Sequence, residues 1–377
     1  MRVVVDARTV YGPIRRGTGK NLVDLYRTMA RLRPDWDFYM VHRGGAVDDP
    51  FADCPNVSAE AVDMKGDRWN LWEQVRLPLA AVARRASVLH SPANTAPAVP
   101  MVPLVMTVHD LIPLEGGDTE AARAWKANVA AAAQKARRII TPSSFTRTLI
   151  SERFNVPLDR IVVNHWAPDN GCRRVTDPRE IARVRRSYGL GEQERYVFAF
   201  GASDARKNTR RVIEAWAGLP SSLRAGLALV VVGLQGSALE DARKQAAALA
   251  PEGGWHLFGF APEADVPALL TAATLLCYPS LSEGFGLPVL DAFICGTPVL
   301  TSNTTSLPEV AADAAMLVDP ADAAAIRDGI ARVAGDASLQ QALRTRGYER
   351  LQDFSWERCA RTAAAALEEA SMRTAAA

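Results

Sequence analysis

The chain has 377 residues, a length that suits two or three domains. Hydrophobic residues make up 48% and charged ones 23%, which excludes a disordered or fibrous chain and indicates a soluble globular one. A formal net charge of +2 gives no global case for nucleic acid, although the first half is mildly more basic than the second.

Short apolar strands alternate with amphipathic helices, which predicts an α/β protein built on parallel sheets. In the first half strands are expected over 2–5, 38–42, 88–90, 104–107, 138–141 and 161–163. Helices are expected over 21–32, 119–136 and 144–154. Residues 12–19, GPIRRGTG, lie between the first strand and the first helix. The spacing resembles a Walker loop superficially, but Thr18 stands where that loop needs lysine. Gly17 and Gly19 would let backbone approach a ligand closely. A mobile surface loop with Arg15 and Arg16 solvated fits equally well. Asp35, Trp36 and Asp37 form an acidic triplet of the kind that holds a divalent metal in some metal-dependent enzymes. Between Pro34 and a strand, however, the triplet reads better as a turn. His109 and Asp110 close the apolar run VPLVMTVHD. A histidine there would face a ligand beyond the strand end, and a satisfied core histidine is the even alternative. The helix over 119–136 carries Arg123, Lys126 and Lys135 around Trp125. That is compatible with an anionic membrane surface, though a solvated basic face suits it better.

Residues 166–171, with Pro168, Asp169, Asn170 and Gly171, break the alternation. A basic helix over 178–188 follows, then strands over 196–200, 227–232, 255–258, 275–278, 299–301 and 315–317. Two halves with one sheet each predict two Rossmann-like domains, over 1–168 and 169–355, facing each other across a cleft. An Ala-rich helix over 356–377 is expected to pack back on the first domain. Ligands of such sheets bind beyond the carboxyl ends of the strands.

The most informative stretch is residues 283–291, EGFGLPVLD. An apolar strand precedes it and a short helix follows, with Pro288 suited to the first helical position and Gly296 to its stop. Amides of Phe285, Gly286 and Leu287 would cluster at the helix N-terminus, a natural site for phosphate. The flanking carboxylates Glu283 and Asp291 suit sugar hydroxyls, because ionised carboxylates only accept. The strand over 196–200 ends in Gly201 and leads to Arg206 and Lys207. Two cations there suit a diphosphate, against a mildly unfavourable placement at a helix start.

Five cysteines, Cys54, Cys172, Cys277, Cys295 and Cys359, stand apart in sequence. An odd count without a CxxC pair argues against a disulfide framework or zinc site, and for a reducing compartment. His42, His165 and His256 share no ligand spacing, so no metal site is expected. The chain opens on a strand without an apolar signal core, and no run is long enough to span a bilayer. A cytoplasmic protein is expected, with peripheral contact at the inner membrane face compatible.

At these residues the chain resembles a family 4 glycosyltransferase, of the GT-B group of retaining sugar transferases. The resemblance rests on DARTVYGPIRRGTGKN, VHDLIPL, TPSSFTRTLI, FGASDARKN, PSLSEGFGLPVLDAFICGTPVL, SLPEV and FSWE, all in the family's order. It implies that Glu283 holds hydroxyls of the donor sugar and that Phe285, Gly286 and Leu287 offer amides to sugar and phosphate. Arg206 and Lys207 would hold the diphosphate, and His109 would lie against the sugar near the reacting carbon. Gly17 and Gly19 would approach the phosphates, and Gly201 and Phe260 complete the donor-binding set. Asp291 stands where the family usually has glutamate binding the ribose. The segment NHWAPDNG also departs from the family's short Gly-containing turn.

The implied activity is metal-independent transfer of a hexose from a nucleotide diphosphate sugar to a saccharide or lipid-linked hydroxyl, with retention. No cofactor and no nucleic-acid partner are expected, and GDP-mannose-like donors are slightly favoured over UDP-sugars. A nucleotide-sugar epimerase of the same fold and a non-catalytic nucleotide-sugar-binding protein are the rival readings.

Overall fold

A computed structural model gives the structure of the chain and describes residues 1–12, 15, 17–44, 48–62, 64, 70–115 and 117–372. The expectation for Arg16, and the tail beyond 372, lie outside the described residues. The chain forms two compact units, Met1–Ala167 with Phe354–Ala377, and Pro168–Asp353.

The first unit holds seven strands: β1 (Arg2–Asp6), β2 (Asp37–His42), β3 (Val57–Ala61), β4 (Val88–Ser91), β5 (Leu104–Thr107), β6 (Arg138–Thr141) and β7 (Ile161–Val163). They pair in parallel in the order β3-β2-β1-β4-β5-β6-β7. The inner strands are buried along almost their whole length because helices cover both faces of the sheet. Those helices are α1 (Gly17–Leu32), α2 (Leu77–Ala83), α3 (Glu120–Lys135) and α4 (Ser144–Phe154). Val4, Leu89 and Met106 meet Trp72, Trp125 and Val129 in the core. Thr119 and Ser143 cap α3 and α4 through their side-chain oxygens, as their positions before apolar runs require.

The second unit holds six parallel strands: β8 (Arg195–Phe200), β9 (Leu227–Val232), β10 (Trp255–Leu257), β11 (Leu275–Tyr278), β12 (Val299–Ser302) and β13 (Ala315–Val318). Their order is β10-β9-β8-β11-β12-β13. The helices are α5 (Pro178–Ser187), α6 (Thr209–Ala217), α7 (Ser221–Arg224), α8 (Ser237–Leu249), α9 (Val266–Ala272), α10 (Leu287–Cys295), α11 (Leu307–Ala311), α12 (Ala323–Gly335) and α13 (Ala337–Leu351). Trp216 anchors this core and donates its indole N–H to the Leu227 carbonyl at 2.8 Å. The last helix, α14 (Trp356–Ser371), packs on α1 and on β4, β5 and β6 of the first unit. Arg137 donates to the Ala370 and Met372 carbonyls at 2.8 Å each and ties its end down.

In both sheets the chain reverses its direction of growth once, between β1 and β4 and between β8 and β11. Such switch points open a crevice at the carboxyl ends of two neighbouring strands. Three local expectations need correction. The helix expected over 21–32 begins at Gly17, so Gly17 and Gly19 belong to its first turn rather than to a loop. The reason is steric: a Cβ at Gly19 would overlap the Thr9 carbonyl oxygen, so only glycine lets this turn form against residue 9. Strand β3 was not expected, because as an outer strand with mixed exposure it lacks an apolar face. The helix before β12 begins at Leu287, with Pro288 second.

Candidate functional site

The switch point of the second unit gathers residues from two loops. After β8 come Gly201, Asp204, Arg206 and Lys207; after β11 come Ser280, Ser282 and Glu283. Asp204 caps a 3-10 turn over Ala205–Lys207 by accepting from the Arg206 amide at 3.0 Å. Asn208 then adopts a left-handed conformation, φ 59°, and its buried amide donates to the carbonyls of Pro279 and Pro320 at 2.9 and 2.7 Å. The Leu281 amide donates to the Arg206 carbonyl at 2.8 Å. The two loops are therefore fastened backbone to backbone before any charged group is counted.

Glu283 lies at the centre and is only 8% exposed. Its Oε2 meets Arg206 Nη1 at 2.9 Å, and its Oε1 meets Lys207 Nζ at 2.6 Å. Tyr278, the last residue of β11, donates its hydroxyl to Glu283 Oε1 at 2.6 Å and accepts from Lys207 Nζ. Arg206 also meets Asp204 Oδ2 through Nε at 2.8 Å. Burial alone would push the Glu283 carboxyl up, but Lys207 and then Arg206 outweigh it and hold it below the ordinary value. Burial likewise works on Lys207 and lowers its pKa, only partly offset by Glu283. Burial also opposes the Arg206 charge, but Glu283 and Asp204 overcome it and raise the pKa. Burial, then the Glu283 charge, pushes the Tyr278 hydroxyl up, so it stays a donor.

The backbone of residues 283–286 is held from beneath. The buried Ser306 hydroxyl bonds the carbonyls of Glu283 and Phe285 at 2.9 and 2.8 Å. Gly286 precedes α10 at φ 122°, where a Cβ would stand 2.6 Å from Leu307 Cδ2. Both the backbone angle and the space call for glycine. Asp291 lies one turn into α10, and its Oδ1 accepts from the Asp169 amide at 3.3 Å. Phe260 is 74% exposed beyond the end of β10. Gly201 meets the Val232 carbonyl through its amide at 2.8 Å, and Gly233 crosses it so closely that a Cβ there would stand 2.5 Å from the Gly201 oxygen.

The remaining expected residues belong to the first unit. His109 follows β5, and its backbone amide donates to Asn94 Oδ1 at 2.6 Å. Its Nε2 lies 2.6 Å from the Pro92 carbonyl, which can only accept, so that nitrogen carries the proton. The ring stacks on Trp166 at 5.6 Å between centroids. Gly17 opens α1 and Gly19 is buried against residue 9. At this unit's switch point Arg8 bridges two buried carboxylates, Asp6 and Glu73, at 2.6 Å each, and Thr95 donates to Glu73 Oε1 at 2.5 Å. Asp35 pairs with Arg33 in the turn before β2, and Arg33 covers the Trp36 ring.

The second half of the chain, residues 180–350, matches the family described as glycosyl transferases group 1. Residues 15–167 match Glycosyltransferase Family 4. The chain belongs to the family 4 glycosyltransferases. O-antigen chain mannosyltransferase B of Escherichia coli is 38% identical over 225 residues, 59% of this chain and 58% of that protein. The E. coli lipopolysaccharide glucosyltransferase WaaG is 35% identical over 143 residues, 37% of this chain and 36% of its own. The match thus spans a little over half, or about a third, of these relatives' lengths. Among solved structures, WaaG superposes with a TM-score of 0.74 at 18% identity, covering 97% of this chain and 99% of its own. Anabaena HepE in complex with UDP gives 0.77 at 17% identity, covering 98% and 100%. The fold is GT-B, two Rossmann-like α/β units.

Within this family member the structure brings Arg206, Lys207 and Glu283 into one ion-paired cluster, with Gly201 and Gly286 shaping its walls. Among the described contacts Asp291 is engaged with the backbone of Asp169 instead. Sequence reading missed Tyr278, Asn208, Ser306 and Gly233. Tyr278 carried a signal, a polar tip ending an apolar strand directly before the loop. Asn208 carried another, an asparagine where a helix must start from a left-handed residue. Among the described residues no helix is long and apolar enough to cross a membrane.

Proposed function

We propose that the protein moves a hexose, mannose- or rhamnose-like, from a nucleotide diphosphate sugar to a hydroxyl of a saccharide or lipid-linked acceptor. The transfer retains anomeric configuration and uses no metal. The observation that carries this reading is the cation pair Arg206 and Lys207, locked on Glu283 at the switch point of the second unit. The leaving diphosphate gains negative charge as the glycosidic bond breaks, and preorganised cations stabilise that charge most where water is sparse. Lys207, with three N–H donors, can keep Glu283 and still meet a phosphate oxygen. Arg206 spends its Nε on Asp204 at the exposed rim, and a phosphate is the stronger partner for that fork.

Family resemblance supports a front-face course. The acceptor oxygen bonds to the anomeric carbon on the face the diphosphate leaves, and the acceptor proton passes to the departing phosphate oxygen. Glu283 serves as anchor for the sugar and the cations, and no side chain becomes covalently bound. The similarity to O-antigen chain mannosyltransferase B supports mannose and surface-polysaccharide assembly. Peripheral contact with an anionic membrane and a cytoplasmic site of action follow from that same reading. The test is transfer from GDP-mannose to a saccharide panel in the presence of chelator, with the anomeric product read by NMR. An α-linked product formed at full rate supports the reading. Inverted product, or loss of turnover in chelator, contradicts it. Epimerisation of donor without acceptor would favour the epimerase instead.

A further inference from the structure

Cys172 and Cys295, 123 residues apart, place their sulfurs 3.6 Å from each other. Cys295 is the buried last residue of α10, while Cys172 is partly exposed in the segment that opens the second unit. Their other partners are backbone: Cys172 Sγ donates to the Asp291 carbonyl at 3.6 Å, and Cys295 Sγ to the Arg173 carbonyl at 3.5 Å. The remaining cysteines sit elsewhere, Cys54 beside Asp53, Cys277 within β11 and Cys359 within α14. Asp291 lies four residues before Cys295, one turn along the same face of α10, and its carboxylate accepts from the Asp169 amide. The segment over 169–172 is thus held to α10 at two points, one a carboxylate and one a thiol.

We infer that Cys172 and Cys295 are a modification site, a dithiol that a small disulfide oxidant converts reversibly to a disulfide and that thereby weakens donor binding at Asp291. The effect on the donor rests on the function proposed above; the bond itself does not. The chemistry is two exchanges. Cys172, the accessible thiol, attacks the oxidant as thiolate, releasing one small thiol and leaving a mixed disulfide. Cys295 then attacks the Cys172 sulfur and releases the second small thiol. Two protein protons end on the two released thiols, the protein is oxidised and the oxidant reduced. The sulfurs must close from 3.6 Å to about 2.05 Å, a shift within reach of side-chain and local backbone adjustment.

Oxidation removes the thiol proton that Cys172 gives to the Asp291 carbonyl. It replaces a weak hydrogen bond with a covalent tie and keeps residue 169 against the Asp291 carboxylate. An Asp291 held to backbone is a poorer acceptor for ligand hydroxyls. The adjoining Cys295 thiol, and then burial, push the Cys172 thiol up, so less of it is thiolate at neutral pH.

The experiment incubates the reduced full-length chain with glutathione disulfide and reads intact mass, cross-linked peptides and GDP and UDP affinity. The expected result is loss of two hydrogens and a Cys172–Cys295 linked peptide. Nucleotide affinity is expected to fall about fivefold or more and to return on reduction. C172S and C295S should each abolish the cross-link and keep the affinity of the reduced protein after oxidant treatment. Glutathione found on Cys54 with no cross-link overturns the inference. So does a cross-link that leaves nucleotide affinity unchanged. Failure of the reduced protein to bind either nucleotide would instead count against the proposed function, while the peptide map still decides whether the couple exists.

Discussion

The two units share one topology at their switch points but fill them with opposite charge. In the first, one arginine, Arg8, sits between two buried carboxylates, Asp6 and Glu73. In the second, one buried carboxylate, Glu283, sits between two cations, Arg206 and Lys207, with Asp204 at the exposed rim. Burial opposes the charge on Arg8 and on both cations. On Arg8 the two carboxylates win and its pKa is raised, whereas Lys207 is left below its ordinary value. The first arrangement is an internally satisfied brace, tightened by Thr95 and by Arg8 lying over the Trp72 ring. The second holds more cationic donors than its one central carboxylate can use. Fold alone therefore makes two crevices, and side-chain charge distinguishes the one we propose for phosphate.

Substitutions that break this contrast should differ in kind. Lys207→Ala is expected to lower sugar transfer about a thousandfold, read by steady-state kinetics, since in the proposed function it removes the charge that stabilises the leaving group. Near-normal turnover would remove Lys207 from the mechanism. Arg8→Met should act on stability, because it leaves Asp6 and Glu73 buried without their shared partner. Denaturant unfolding should show a loss of about 3–4 kcal/mol. A loss below about 1 kcal/mol would mean that water or neighbouring groups satisfy the brace.

Smaller effects sharpen the same comparison. Gly286→Ala should cost about 2 kcal/mol from backbone strain and contact with Leu307. It should weaken nucleotide binding more than Gly19→Ala weakens it, and equal effects on binding would contradict that ranking. The pH dependence separates the units further. Glu283 has a depressed folded pKa, so its stabilising contribution is present above its ordinary value of 4.5 and is lost as pH falls through the folded value. His90, buried between Tyr26 and Thr107, is pushed down to about 3 by burial and, second, by His109. The unfolded chain takes that proton below 6.5, so stability falls as pH drops from 6.5 toward about 3. His90→Gln should flatten the loss measured between pH 6.5 and 5, where Glu283 stays charged. An unchanged slope would locate the acid sensitivity elsewhere.

Much of this was legible in the residues themselves. The strand–loop–helix grammar around residues 283–291 placed Glu283 correctly on a loop and Asp291 one turn into the helix, because Gly286, Pro288 and Gly296 punctuate the chain by sterics alone. Arg206 and Lys207 were found by charge at a strand end. Their pairing with Glu283 was not, since residues 76 apart meet only through the sheet order. The same holds for Tyr278 as bridge and for Gly233 against Gly201, which depend on neighbouring strands rather than neighbouring residues. Strand β3 escaped because an outer strand needs no apolar face, and the true start of α1 escaped because Gly17 and Gly19 read as loop. The cysteines show the same limit: apart in sequence, two of them touch.

The central claim is that the cations on Glu283 are a diphosphate site that works without metal. Calorimetric titration of GDP and UDP in chelator, comparing the unaltered chain with Arg206→Ala/Lys207→Ala, tests it most directly. The account predicts that at least one nucleotide binds the unaltered chain and that the double variant, still folded, loses affinity about a hundredfold. Equal affinity in the two proteins would contradict it.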